Sequence, residues 1–372
     1  MTLGKGCPYR NMEFDYLINA DEGPELNVKM SVRQAEGSFL KNYKRTLGHP
    51  GKHGIQGFCG DDLLCFEGQK VLEFPECCCF DRKVKIGKIN IEILHSEKTY
   101  NYTFNNLDWF GLYDIRKKCF AIGNFDKFTL NDKIMLYMRD GGKQSCGQDG
   151  NKFVCEKILK LYNYYKNIFG DIRQNSYDIY FLNKADEKNI FAGAGLSSVG
   201  STFDPESERD MELLSHRMFH AFFDSNLKNA DLLAPPYLWL YEGLAVYNEI
   251  ESLDNREENW RNLRKRYDYA KEKYKGKLEL IPEREVSYIN FGYKMEFLHY
   301  TQAPLIVKQN EKLGIIGMLQ EGVDMQDIIG KMDTEIRKIG PGSGQVSEAA
   351  AEPDEKLKYF DHILESWGIK ND

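Results

Sequence analysis

Two histidines and a glutamate have the residue types and the spacing of a metal site. His216 and His220 stand four residues apart in the segment LLSHRMFHAFF. On an α-helix this spacing places both imidazoles on one face, so that two neutral ring nitrogens can converge on one ion. Glu242 follows in PPYLWLYEGLAVYNE, among apolar residues where a carboxylate is costly unless it is paired. Together they predict a zinc site with an open fourth position, as in catalytic sites.

Other interpretations of these side chains remain open from the residues alone. A buried histidine is usually satisfied by an ordinary hydrogen bond, and H-x-x-x-H by itself is as compatible with a packed core as with a metal. Glu212 and Asp224 lie one turn before and one turn after the His pair. They suit either side chains that orient an imidazole or solvated helix residues. The addition of Glu242 is what favours zinc.

The helices and strands that must position these residues follow from apolar spacing and capping signals. Asp204 and Pro205 open a helix that is predicted to reach residue 225. Further helices are predicted over 152–170, 237–251 and 255–275. The predicted strands are FDYLINA, LNVKMSVRQ, KVLEF, VKIGKINIEIL, KTYNYTF and SYDIYFL. The Gly-rich FAGAGLSSVGSTF is predicted to be an edge strand that closely approaches another part of the chain.

Composition argues against several kinds of partner and compartment. The net charge is −7, and no Lys/Arg block dominates one segment, so nucleic acid and anionic membranes are not expected as partners. No stretch has the roughly 18–20 apolar residues that span a bilayer, and MTLGKGCPYR lacks the apolar core of an export signal. We therefore expect a cytoplasmic protein.

Two clusters of potential ligands have simpler explanations than a metal. The chain has 9 Cys, an odd number, so at least one thiol is free or pairs between chains. The run Cys77-Cys78-Cys79 includes no C-x-x-C pair, which favours reduced thiols over a soft-metal or redox cluster. His49 and His53 lie in a Gly-rich segment, which favours a flexible surface loop over a metal site.

The motifs around the His pair resemble those of gluzincin metallopeptidases, and within that class the glycyl aminopeptidase family. The matching pieces are the edge strand Gly193-Ala194-Gly195-Leu196, the H-x-x-x-H helix and W-L-Y-E-G-L-A-x-Y around Glu242. These matches fall within about 190–305. The resemblance implies that His216, His220 and Glu242 bind zinc. It also implies that Tyr300 stabilises a tetrahedral oxyanion, although relatives follow that tyrosine with Lys-Gly and this chain does not.

The resemblance also shapes the predicted architecture, an α+β fold. We predict a β-sandwich-like N-terminal domain over 1–150 and a thermolysin-like zinc domain over 151–255. A helical C-terminal part is predicted over 256–337. Residues 338–355 are rich in Gly, Ser, Ala and Pro, which is typical of a flexible linker, and 356–372 are predicted to form a terminal helix.

Two departures from the family pattern change the expected chemistry. The family motif is H-E-x-x-H, and its Glu acts as general base; this chain has Arg217 there, an always-charged donor with no acceptor. Active relatives have Gly-x-x-Glu in the edge strand, whose Glu holds the substrate's free amine. The corresponding segment here is Gly195-Leu196-Ser197-Ser198, which has serines and no carboxylate. We predict that Gly195, Ser197 and Ser198 bind substrate, and that Arg217 and Tyr300 act at the reacting groups.

These features lead to one preferred function and two competitors. The preferred one is a zinc protein of metallopeptidase fold, repurposed and without normal aminopeptidase activity, which binds or transforms a peptide or a small acidic ligand. In it, Arg217 and zinc together bind a carboxylate or phosphate. Alternatively, Arg217 faces solvent or a local acid in an inert pseudopeptidase that only binds peptides or proteins. The third possibility is an active metallopeptidase or hydrolase whose base is supplied elsewhere.

Overall fold

The computed structural model describes residues 10–21, 25–34, 37–47, 57–59, 63–75, 83–139, 148–182, 191–202, 207–226, 237–273 and 303–339. Within these ranges the chain combines β-sheets with α-helices, in agreement with the mixed fold class predicted from the sequence. The chain divides into two compact units, Met1–Ser225 and Asn226–Asp372. The finer domain boundaries predicted from the sequence stay predictions.

The described strands all lie in the first unit. In chain order they are β1 (Arg10–Asn19), β2 (Glu25–Gln34), β3 (Gly37–Thr46), β4 (Gly57–Cys59), β5 (Leu63–Glu67), β6 (Lys85–His95), β7 (Lys98–Leu107), β8 (Cys119–Gly123), β9 (Phe125–Thr129), β10 (Ile134–Arg139), β11 (Tyr177–Phe181), β12 (Phe191–Ala194) and β13 (Ser198–Ser201). The helices of this unit are α1 (Gly68–Val71), α2 (Trp109–Lys117), α3 (Gln148–Phe169) and α4 (Glu208–Asn226).

The first sheet has five strands in the order β3-β2-β1-β6-β7. Neighbouring strands are antiparallel except β1 and β6, which run parallel in the centre of the sheet. Phe14, Tyr16 and Ile18 of β1 are buried, whereas Asp15 is half-buried and Leu17 is exposed. This period-2 alternation gives the sheet one core-facing side. That side packs with residues of α1, α2 and β8 in one apolar cluster.

The second five-stranded sheet carries the residues predicted to bind substrate. Its order is β12-β13-β11-β10-β9. The segment predicted to be one edge strand forms two strands, of which β12 lies at the edge and β13 inside the sheet. β11 runs parallel to both β10 and β13, whereas β12 and β13 form an antiparallel hairpin. A three-stranded sheet, β4-β5-β8, packs beside it through a small cluster of buried residues. That cluster consists of Leu63, Cys65, Cys119, Leu182 and Ala192.

The second unit is helical in its described residues. It contains α5 (Leu238–Glu251), α6 (Arg256–Lys273), α7 (Ala303–Gln309), a 3-10 helix (Glu311–Leu313), α8 (Ile315–Glu321) and α9 (Met325–Ile339). A polar cluster joins α5, α6 and α7. The carboxylate of Glu251 accepts hydrogen bonds from the indole N–H of Trp260 and from the ammonium of Lys308, each at 2.8 Å. Lys308 also pairs with Glu311 at 2.9 Å.

Most of the elements predicted from the sequence are present. The predicted helices are confirmed as α3, α4, α5 and α6, with bounds shifted by a few residues, and Gly170 follows α3 with a left-handed φ of 81°. The predicted strand KVLEF is wrong, since its first residues close the short helix α1. The strand β3 was not predicted because charged and polar residues fill most of it.

Several predictions fall outside the described residues. These are the N-cap at Asp204, the run Cys77-Cys78-Cys79, the pair of His49 and His53, the terminal helix and nearly all of the linker. Among the helices that the structure does describe, none has the length and apolarity needed to cross a membrane.

Candidate metal centre

An aromatic layer fixes the orientation of α4, the helix that carries both histidines. Phe219 of α4 packs edge-on against Tyr165 and Phe169 of α3, with ring centroids 6.2 and 5.7 Å apart. The hydroxyls of Tyr165 and Ser215 are hydrogen-bonded at 2.7 Å in the buried interior. These contacts lie on the side of α4 that faces the core. The rotation of the helix about its axis is therefore fixed, and so are the directions of the side chains at 216 and 220.

The two histidines point the same ring nitrogen at each other. Nε2 of His216 and Nε2 of His220 are 3.1 Å apart, and the ring planes are inclined by 75°. His216 is buried, with 5% of its surface exposed, and His220 is half-buried. The sequence-based prediction that an i, i+4 pair converges on one face of a helix is confirmed in geometry.

Glu242 lies near the start of α5, where close helix packing surrounds it with apolar groups. Leu240 and Leu244 are buried on the same helix. At the next position, a Cβ on Gly243 would lie 2.7 Å from the Cβ of Ala303 in α7, which is closer than side chains tolerate. A glycine is thus required for this contact. The carboxylate of Glu242 is half-buried, as its apolar sequence context predicted.

The three side chains offer a donor set that fits a metal ion of the zinc type. One ligand-type atom from each of His216, His220 and Glu242 lies within 4.8 Å of the others. The two Nε2 atoms, 3.1 Å apart, are close enough for both to bind one zinc ion, since Zn–N bonds are about 2.0–2.1 Å long. Two imidazole nitrogens and one carboxylate oxygen are also the ligand types of catalytic zinc sites with a free fourth position.

Arg217 extends into a buried part of the first unit. Its side chain is half-buried, and its Nε atom has essentially no solvent-accessible surface. Its charge acts on Tyr177, the first residue of β11. Burial raises the pKa of Tyr177 well above its usual range, and the charge of Arg217 opposes that rise.

The residues predicted to bind substrate form the tip of the β12–β13 hairpin. The Gly195 amide donates to the carbonyl of Ser198 at 2.7 Å, which closes the turn. Ser198 is fully buried, and its hydroxyl accepts a hydrogen bond from the Cys119 amide at 3.0 Å. The hydroxyl of Ser197 accepts one from the ammonium of Lys118 at 2.9 Å. Both hydroxyls thus have protein partners, and a role in binding substrate stays a prediction.

The acids that flank the His pair have different environments. Asp224 is buried, with 3% of its surface exposed, and its Oδ2 accepts a hydrogen bond from the hydroxyl of Tyr113 at 3.1 Å. Glu212 is half-buried. A buried, hydrogen-bonded carboxylate one turn from His220 is consistent with the predicted orienting role.

Sequence reasoning missed three residues around the hairpin tip, and one predicted residue lies outside the described ranges. The missed residues are Asp114, Lys118 and Tyr177. The contacts of Asp114 and Lys118 with Ser197 join segments 83 and 79 positions apart, so no local spacing could reveal them. Tyr300, the predicted oxyanion-stabilising residue, lies outside the described residues.

Comparison with known proteins supports the fold and leaves the family open. No protein-family model matches the sequence, and no curated protein matches it either. Solved structures do resemble it. An aminopeptidase N family protein from Idiomarina loihiensis matches with a TM-score of 0.55 and 11% identity, over 93% of this chain and 75% of that one.

Two further solved structures agree with that likeness. Leukotriene A4 hydrolase from Saccharomyces cerevisiae matches with a TM-score of 0.53 and 10% identity, over 97% of this chain and 69% of that one. An M1 zinc metallopeptidase from Deinococcus radiodurans matches with a TM-score of 0.50 and 12% identity, over 88% of this chain and 90% of that one. The likeness to a zinc metallopeptidase fold is therefore supported. Membership of the glycyl aminopeptidase family stays a prediction.

Proposed function

We propose that this protein with a metallopeptidase-like fold binds zinc through His216, His220 and Glu242 and uses the site to bind a ligand with a carboxylate group. The observation that carries the proposal is that ligand-type atoms from all three side chains lie within 4.8 Å of one another. Zinc bound there supplies a Lewis acid with an open position for an anionic oxygen. The ligand is a small acid or an acidic peptide.

Arg217 directs the site towards binding an anion rather than hydrolysing a peptide. A guanidinium donates several hydrogen bonds and accepts none, so it cannot remove a proton from an attacking water. Loss of a general base typically costs about 10²–10⁴ in rate. The same guanidinium binds carboxylates with charge-assisted, often bidentate hydrogen bonds. Its half-buried position strengthens such bonds, because less water competes with the ligand.

The experiment uses propionate as a probe and the zinc-loaded full chain. We expect saturable binding in an NMR titration, and we expect Arg217→Met to weaken it about 10–100-fold, the range for hydrogen bonds to a charged group of about 1.5–3 kcal/mol. Arg217→Lys keeps the charge and loses the bidentate geometry, so its affinity for propionate should lie between that of the wild type and that of Arg217→Met. Propionate binding that is independent of zinc and of Arg217 contradicts the proposal.

The competing proposal is an active hydrolase, and the zinc metallopeptidases among the structural neighbours favour it. Its test is turnover on a panel of peptides by the wild type and by Arg217→Glu. If the missing glutamate is what limits hydrolysis, the variant gains peptidase activity that the wild type lacks. Peptide cleavage by the wild type at the level of the variant, abolished by His216→Ala, supports the hydrolase instead.

A further inference from the structure

The row of side chains that carries both histidines continues for one more turn of α4. His216, His220 and Asp224 are spaced at i, i+4 and i+8, so all three lie along one side of the helix. Asp224 is buried, with 3% of its surface exposed. A carboxylate in such a position is costly unless hydrogen bonds or charges compensate it. Because Asp224 is not one of the three metal ligands, its burial calls for a separate explanation.

Tyr113 of α2 holds the carboxylate of Asp224. The hydroxyl of Tyr113 donates a hydrogen bond to Oδ2 of Asp224 at 3.1 Å. The ring of Tyr113 stacks on that of Trp109, one turn earlier in α2, with ring centroids 5.2 Å apart and planes inclined by 18°. A tyrosine has few side-chain rotamers, and the stacking leaves its hydroxyl little freedom. The carboxylate of Asp224 is therefore held by a residue outside its own helix.

The hairpin of β12 and β13 in turn fixes the position of α2. Gly193 has a φ of 130°, and a Cβ on it would lie 2.7 Å from a backbone carbonyl oxygen of α2. A Cβ on Gly195 would lie 2.7 Å from Oδ1 of Asp114. The same oxygen accepts a hydrogen bond from the Ser197 amide at 2.9 Å. Two glycines thus allow the hairpin to pack directly on α2, which fixes the place of Tyr113 relative to the sheet.

A metal-bound His220 needs an acceptor for its second ring nitrogen. Its Nε2 lies 3.1 Å from Nε2 of His216, so Nε2 is the atom that can share an ion with the other ring. Nδ1 then carries the proton, and this atom is shielded from solvent. Metal-binding imidazoles usually donate this N–H to a carboxylate or carbonyl, which fixes the ring and raises its basicity. Helical side chains lean towards the N-terminus, so that of Asp224 leans towards the turn of His220.

We propose that Tyr113 and Asp224 are positioning residues of the metal centre. Asp224 accepts a hydrogen bond from Nδ1 of His220, and Tyr113 holds the carboxylate in the orientation that this bond requires. The inference rests on the proposed function, in which His220 is a zinc ligand. It also assigns the proton between the two rings in the metal-free chain. If Nδ1 of His220 carries a proton, its Nε2 is an acceptor, so the 3.1 Å contact is a hydrogen bond donated by Nε2 of His216.

The test measures zinc affinity by competition with a chelator, and histidine tautomers by nitrogen NMR, on the full chain. At about pH 8, where histidine is usually neutral, metal-free wild type should carry the His220 proton on Nδ1 and the His216 proton on Nε2. Asp224→Asn should weaken zinc binding about 10–100-fold, the range for loss of a partner of a metal ligand. Tyr113→Phe keeps the stacked ring, removes one hydrogen bond and should weaken zinc binding about 3–10-fold. Both variants should increase the fraction of His220 that is protonated on Nε2.

The matched control is Tyr162→Phe. The hydroxyl of Tyr162 donates to the carboxylate of Asp171, and its ring packs on the buried Phe222 of α4. This variant loses the same kind of hydrogen bond and should keep the zinc affinity and the tautomers of the wild type. If Tyr113 only braces α4, Tyr113→Phe lowers the Tm of the metal-free chain and changes neither zinc affinity nor the His220 tautomer, and the inference is wrong. Metal-free wild type with His220 protonated on Nε2 also overturns the inference, whereas a wild type that binds no zinc refutes the proposed function.

Discussion

Replacing His216 with glutamine removes one nitrogen from the metal centre while disturbing α4 little. His216 is 5% exposed, and its Nε2 lies 3.1 Å from Nε2 of His220. Glutamine is similar in size and forms hydrogen bonds, and it is not among the usual zinc ligands. The variant should therefore fold and fail to hold zinc.

The size of the effect follows from linkage between zinc binding and folding. Free zinc at about 100 times its dissociation constant stabilises the folded state by about 2.7 kcal/mol. For a compact unit the size of Met1–Ser225, each kcal/mol shifts Tm by about 2–4 °C, so zinc should raise the wild-type Tm by about 5–11 °C. If losing one ligand weakens binding about 100-fold, the stabilisation falls to about 0.4 kcal/mol and the shift to about 1–2 °C.

The assay is a thermal melt of metal-stripped protein with and without zinc, together with metal analysis of each variant. His95→Gln is the matched control, because His95 is also buried, at 4% exposed, and lies in β6 outside the metal centre. It should keep the full zinc-dependent shift and about one zinc per chain. Equal zinc content in wild type and His216→Gln would refute the assignment, and so would a wild type that holds no zinc.

Three further predictions concern stability. Glu251→Gln should lower the free energy of unfolding of the second unit by about 1–3 kcal/mol in urea melts. The reason is that a neutral amide binds the ammonium of Lys308 more weakly than a carboxylate does. Gly200→Ala should cost about 1–3 kcal/mol, since its Cβ would lie 2.2 Å from Sγ of Cys119, and Cys119→Ala should recover part of the loss. Asp178→Asn should stabilise the protein at pH 7, with the gain vanishing at low pH.

The sign of the last prediction follows from the direction of the pKa shift. Burial raises the pKa of Asp178 above its value in the unfolded chain, so the folded state favours the neutral acid. The charged form costs stability above that pKa, and asparagine removes the cost. A gain that is constant from pH 3 to pH 7 would contradict this account. If the stability losses of Gly200→Ala and Cys119→Ala simply add in the double variant, the predicted steric clash between the two positions is wrong. If Glu251→Gln leaves the midpoint of the urea melt unchanged, the predicted contribution of the Glu251 carboxylate is wrong.

Local patterns were sufficient to predict the His pair and its helix. The spacing of His216 and His220 is a property of one helix, and the helix is visible from its apolar residues alone. Glu242 was predictable because a carboxylate in an apolar segment needs a partner. These inferences needed only the spacing of apolar residues along the helix and the energetic cost of burying an unpaired carboxylate.

The surroundings of the site could not be predicted in the same way. Lys118 and Ser197 are 79 residues apart, and their contact depends on two glycines that allow backbone to approach backbone. The strand β3 was missed because pairing with β2, rather than an apolar pattern, makes it a strand. KVLEF was mistaken for a strand because a short apolar run is also compatible with a turn of helix.

The parallel pairing of β1 with β6 has a consequence for how the chain folds. Asp15 and Asn90 pair in the sheet although they are 75 residues apart, whereas β1, β2 and β3 form two local hairpins. Closing a loop of that length costs about 4 kcal/mol of chain entropy before the contact is made. One edge of the central strand therefore stays open until residues 85–95 have been synthesised and can pair with it. A fragment that ends before Lys85 would expose that edge to other chains and should aggregate.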